Sequence, residues 1–123
     1  MRNYRNLEIW QKGLEILKYV YQISNQFPEE EKYGLTAQIK RAVISILSNI
    51  AEGSGRNSNQ QMINFLSISK GSAYEVEAQL IIAYELTYIS TEDLDIAVEI
   101  IDHYCRMNQN FQNYLTKNTN GNK

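Results

Sequence analysis

A single proline, Pro28, interrupts a chain of 123 residues that holds only six glycines. Proline removes a backbone donor and clashes with the preceding turn, and glycine is the usual residue where a chain reverses, so a chain poor in both has few places to turn. Few turns over this length imply few, long elements. Their period is helical. After Asn6, read as an N-cap, Leu7, Trp10, Leu14, Leu17 and Tyr21 recur at spacings of three and four, which is one face of a first helix ending near Phe27 and Pro28. Pro28 followed by Glu29, Glu30 and Glu31 reads as the start of a second helix, because proline tolerates a first turn and carboxylates favour the positive end of the helix dipole. That helix runs to Gly53, with Gly34 as an early irregularity.

Ser58 or Asn57 caps a third helix, whose stripe from Met62 through Phe65, Leu66, Ser69, Ala73, Val76, Leu80 and Ala83 to Thr87 keeps helical phase as far as Tyr88. Ser90, Thr91, Glu92 and Asp93 begin a fourth, marked by Leu94, Ala97, Val98, Ile101, Cys105 and Leu115. No run alternates long enough for a strand. Four long helices with short connections give an all-α chain, an antiparallel up-and-down four-helix bundle over residues 1–118 with a flexible tail at 119–123.

The second helix carries the most informative pattern. At 100° per residue its apolar positions, from Leu35 and Ile39 through Val43, Ile44, Ile46 and Leu47 to Ile50 and Ala51, spread over roughly 200°, about twice the stripe a surface helix needs. Something beyond its own bundle is expected to cover that arc. The remaining arc aligns Gln38, Arg41, Ser45, Asn49 and Glu52 as a polar ridge, which reads as a solvated or helix-packing ridge, as a subunit contact, or as a ligand site.

Between the second and third helices lies SNIAEGSGRNS, residues 48–58. A phosphate-binding loop needs a preceding strand and a lysine after its glycines, and this segment has neither. It reads as a helix-connecting turn with Gly53 as the stop, although Arg56 beside the next helix's free amides marks a place where an anion could sit.

Enzyme readings lack parts. His103 is the only histidine, so a bundle-type dimetal site with a histidine from each of two helices cannot form within one chain. Glu99 and His103, four apart, read as a helical surface pair before a metal-ligand pair. Cys105 falls on the apolar stripe, where a buried inert thiol is expected, and as the single cysteine it excludes an internal disulfide and a multi-cysteine zinc site. Neither catalytic residues, metal nor cofactor are expected. A net charge of −2, from 12 Lys+Arg against 14 Asp+Glu, gives no whole-molecule attraction to nucleic acid or an anionic membrane, so such binding would need a local patch. Lys40, Arg41, Arg56 and Lys70 are the candidates, with Glu52 and Glu75 close enough in sequence to weaken their field. The chain start lacks the apolar core of a signal peptide, and no run reaches membrane-span length, so the expectation is a soluble, cytoplasmic protein.

The stretch EKYGLTAQIKRAVISILSNIAEGSGR, Glu31 to Arg56, followed by FLSISKGSAYEVEAQL, Phe65 to Leu80, resembles the bacterial four-helix-bundle proteins first noticed as open reading frames in intervening sequences of 23S ribosomal RNA genes. It is similar also to the accessory protein of diversity-generating retroelements. Trp10, Pro28, Gly34-Leu35, Gln38, Arg41-Ala42, Ser45, Asn49 to Gly53, Gly71-Ser72, Glu75 and Glu77 match the family pattern in order. The resemblance implies a bundle that assembles into a ring-like homopentamer with no known enzymatic activity. In the retroelement relatives a basic surface goes with nucleic-acid and reverse-transcriptase binding, a feature from which this chain departs. The expectation is thus a non-enzymatic, pentameric scaffold or adaptor; the alternative is an RNA- or DNA-binding accessory protein acting beside a reverse transcriptase or ribosomal RNA. In the first reading Gln38, Ser45, Asn49, Glu52, Gly53, Ser72 and Glu75 serve structure and assembly, and Arg41 pairs with Glu75 or Glu52 as a partly buried lock.

Overall fold

The structure, a computed structural model, describes residues 3–121. Four α-helices, α1 Glu8–Ser24, α2 Leu35–Ser54, α3 Asn59–Glu85 and α4 Thr91–Gly121, follow one another with short connections. No strand occurs among the described residues. Helix α1 packs on α2 and α4, and α3 packs on α2 and α4, so neighbours in sequence are neighbours in space and the bundle is of the up-and-down kind. The expected tail at 119–123 begins within the α4 backbone, and residues 122–123 lie outside the described residues.

The helix starts follow local chemistry, not always at the expected residue. Asn6 is not the cap of α1. It closes a single 3-10 turn, Tyr4–Asn6, and Leu7 stands at the cap position. Pro28 and the three glutamates do not open α2 either; they form a 3-10 turn, Glu29–Glu31, and the α-helix begins at Leu35 after Gly34. The acids still serve the helix start: Glu31 Oε1 accepts the Leu35 amide at 3.1 Å and Oε2 accepts the Tyr88 hydroxyl at 2.8 Å. One carboxylate thereby caps α2 and ties it to the α3–α4 connection. Those two bonds, the amide's first, hold the Glu31 carboxyl below the usual carboxylate range. Ser58 does cap α3, accepting the Gln61 amide at 3.1 Å, and Ser90 caps α4, accepting the Asp93 amide at 3.0 Å.

Helix α3 stops at Glu85, three residues before the expected end. Thr87 lies at φ 66°, and the Tyr88 and Thr87 amides donate to the Ala83 and Tyr84 carbonyls at 2.8 and 2.9 Å. That bond pair is a Schellman cap with threonine in the left-handed position where glycine is usual.

The core runs the length of the bundle. On α1 the buried row is Ile9, Gly13, Ile16, Val20 and Ile23, one position away from the expected row of Leu7, Trp10, Leu14, Leu17 and Tyr21, which lies half-buried beside it. Two adjacent apolar rows compete for the core, and the one holding Gly13 lets the Leu47 side chain come within 2.8 Å of where a Cβ would stand. The wide arc of α2 is covered within the chain: Ile39, Val43, Ile46 and Ile50 are fully buried and Leu47 nearly so. Because α2 lies between α1 and α3, two neighbours bury two flanks of it. Ile44 alone of the large residues on that arc stays half-exposed, at 51%.

Candidate assembly surface on the second and third helices

The polar ridge of α2 faces α3 at its centre and solvent at its edge. Ser45 Oγ and Ser72 Oγ are hydrogen-bonded at 2.9 Å, and Asn49 Nδ2 donates to the Ser45 carbonyl at 2.8 Å and to Ser45 Oγ at 3.0 Å. These small side chains stitch α2 to α3 within one chain. Gly53 belongs to the same seam and is not a helix stop. It is buried in the last turn of α2, and a Cβ there would meet Met62 Sδ at 2.7 Å and Phe65 Cβ at 2.9 Å. The helix ends one residue later, with Gly55 at the cap in ordinary right-handed geometry.

Toward solvent, Gln38, Arg41, Ala42, Ser45 and Glu75 line an open pocket of 290 Å³. Arg41 and Glu75 face the same pocket, yet neither makes an ion pair among the described residues. The expected lock between Arg41 and Glu52 does not form: both lie on the continuous helix α2, where their separation in sequence puts them about 16 Å apart along the axis, and Glu52 pairs with Arg56 at 2.6 Å. Both partners are largely exposed, so that pair adds little stability. Arg56 also lies over the Phe65 ring, 4.9 Å from its centre, which leaves it engaged by side chains of its own chain. Gln79 is buried beside Glu75, donating to its Oε2 at 3.4 Å, with its own Oε1 enclosed and unbonded.

The four candidate cations are held by different partners at separate places on the bundle. Lys40 is held over the Tyr21 ring of α1 at 4.9 Å, Lys70 donates to Gln109 of α4 at 2.5 Å, Arg41 faces α3, and Arg56 sits in the connection. A single copy therefore presents them separately.

A buried polar seam joins α2, α3 and α4. Ser69 Oγ donates to the Ile46 carbonyl at 2.7 Å and is bonded to the Tyr104 hydroxyl. Asn108 Nδ2 donates to the Leu66 carbonyl at 3.0 Å, and Gln112 Nε2 donates to Asn108 Oδ1 at 2.7 Å. Burial pushes the Tyr104 phenol up to about 12, against the pull of its bonds to Ser69 and Asn108. The sequence reading placed Ser69 on the core stripe but missed Tyr104, Asn108 and Gln112. Their signal was spacing, since 101, 104, 108, 112 and 115 continue one helical row through the gap between Ile101 and Leu115.

Cys105 is buried as expected, 6% exposed, and burial pushes its thiol up, with Tyr74 and Lys70 pulling back. Thiolate at neutral pH is thereby disfavoured. On the facing helix, Glu77 has one enclosed oxygen without a bond; burial and then Asp102 raise its carboxyl. Glu99 and His103 sit around a shallow depression shared with Lys12 and Glu15. No group of three metal-ligating side chains occurs among the described residues, and none of the helices there is long and apolar enough to cross a membrane.

Comparison with known proteins bears on the fold and the family. A 1.70 Å crystal structure of a protein of unknown function from the S23 ribosomal protein family of Bacteroides thetaiotaomicron superposes with a TM-score of 0.77 at 23% identity, covering 85% of this chain and 97% of that one. At that identity the likeness speaks for the bundle alone. No curated protein matches the sequence. The family model of the 23S rRNA-intervening sequence proteins matches residues 5–110, nearly the whole described bundle, and the chain belongs to that family.

Proposed function

We propose that this protein is a cytoplasmic, non-enzymatic scaffold or adaptor that works as a homo-oligomer, a ring of five copies being the form the sequence resemblance implies. The observation that carries the reading is the set of large apolar side chains left on the outer faces of α2 and α3. Ile44 is 51% exposed, Ile68 53%, Ile82 49% and, just past the end of α3, Leu86 49%. Single exposed apolar residues are ordinary, but a series along adjoining helices marks a surface that another macromolecule covers. The unpaired Arg41 and Glu75 lie on the same faces, where a polar rim around apolar contacts supports a specific interface. Sedimentation equilibrium across a hundredfold concentration range tests the proposal. A mass that is a multiple of 14.3 kDa supports it, and a monomer throughout removes it.

A further inference from the structure

The scaffold reading leaves open which surfaces meet, and resting on that reading we infer that the outer face of α3 on one copy docks against the outer face of α2 on the next. Each face carries a stripe at alternating spacings of three and four, the repeat by which helices pack side by side. On α3 the stripe is Ile68, Gly71, Glu75, Ala78 and Ile82, all exposed. On α2 it is Ala37, Arg41, Ile44, Ser48 and Ala51, exposed or half-buried.

Gly71 is the telling residue. A glycine inside a helix costs about 1 kcal/mol relative to alanine, and it is usually kept where something packs too closely for a Cβ. Here nothing lies within 4 Å of the position a Cβ would take, whereas Gly13 and Gly53 each have a neighbour inside 3.0 Å. Nothing within the chain requires Gly71 to be bare. A second helix crossing closely at that point does.

The α2 stripe of another copy fits in size and charge. The Ser45–Ser72 bond fixes the level at which antiparallel α2 and α3 run beside each other inside one chain. When a neighbouring α2 adopts the same antiparallel level, Arg41 stands opposite Glu75, the bulky Ile44 falls over Gly71 and Ser72, and the small Ser48 falls opposite Ile68. Large meets small, and Arg41, outside any ion pair in its own chain, meets a carboxylate of opposite charge. Because the two faces adjoin on one surface, the contact is isologous and gives a dimer when both α3-on-α2 pairs form between the same two copies, and heterologous and ring-forming when each copy uses its α3 face on one neighbour and its α2 face on the other.

Masses of the wild type and four variants, measured at the same micromolar concentration, test this. Arg41→Glu and Glu75→Arg each place like charges at the contact and are expected to weaken assembly about tenfold or more. The double reversal is expected to restore it. Gly71→Leu is expected to break the assembly while leaving helix content and melting of the single chain undiminished, because its side chain points into open space there. A wild-type oligomer insensitive to Arg41→Glu and Gly71→Leu overturns this contact and leaves the scaffold reading standing. Singles that dissociate without rescue by the double overturn the Arg41–Glu75 pairing. A wild-type monomer overturns both contact and scaffold.

Discussion

Thr87 is the residue most at odds with its own backbone. A β-branched side chain at φ 66° carries a cost of about 1–2 kcal/mol that glycine escapes, and the surrounding bonds from Tyr88 to Ala83 and from Thr87 to Tyr84 hold it there. Since the side chain is exposed, Thr87→Gly is expected to raise the unfolding free energy by about 1 kcal/mol, read as a higher urea midpoint at unchanged slope; a lower midpoint would contradict the strain. Glu77 makes a pH-dependent case. Its carboxyl is raised in the folded state, so folding favours the protonated form, and the ionised form weakens the bundle at neutral pH. That loss shrinks as pH falls through the raised folded value and is gone below the ordinary carboxylate pKa of the unfolded chain. Glu77→Gln is therefore expected to be more stable than wild type at pH 7, with the difference closing toward pH 4. Asp93 runs the other way: its bond from Gln26 first, then those from Ser90, hold its carboxyl low. Its contribution is present above the unfolded pKa and fades as pH falls through the lowered value.

At the scale of the helices, glycine position decides whether an added methyl helps or harms. Gly53→Ala drives a Cβ against Phe65 Cβ, which cannot swing aside as the Met62 sulfur can, and is expected to cost about 1–3 kcal/mol through overpacking of α2 on α3. In the buried seam, Tyr104→Phe leaves Ser69 bonded to Ile46 and Asn108 bonded to Leu66, so about 0.5–1.5 kcal/mol is expected. Asn108→Ala removes the second donor to the Leu66 carbonyl, which stays in the α3 ladder, and leaves Gln112 Nε2 without its acceptor, so it should cost more, about 1–3 kcal/mol before any cavity term. Equal losses for the two would mean the seam is not a connected network. Helix number, order and topology were legible because long 3.6-residue periodicity and capping serines are local signals. The 3-10 turn after Pro28 and the early stop of α3 were not legible: the first depends on Glu31 reaching both Leu35 and Tyr88, the second on a threonine accepting a conformation its chemistry resists. The core row of α1 was misjudged because two apolar rows adjoin, and only the approach of Leu47 to Gly13 chooses between them.

On the scale of the whole molecule, the sequence suggested that α2 was too apolar for its own bundle, and the fold absorbs most of that excess between α1 and α3. What remains outside is smaller and more specific: a few isoleucines, an exposed glycine, and Arg41 and Glu75, of opposite sign and outside any ion pair, on adjoining helices. Those side chains come from segments more than twenty residues apart in sequence, so their meeting on one surface became visible only in the folded bundle. The cations Lys40, Arg41, Arg56 and Lys70 show the converse. They cluster around the second and third helices in the sequence, whereas in the fold each is held by a different partner: Lys40 by Tyr21, Lys70 by Gln109, Arg56 by Glu52, with Arg41 on the pocket beside Glu75. The most direct test of the account is light-scattering mass of freshly purified protein with the 260 to 280 nm absorbance ratio read across the same peak. The account predicts a multiple of 14.3 kDa with a protein-like ratio. A 14.3 kDa monomer at micromolar concentration, or a higher mass that nuclease treatment abolishes, would contradict it.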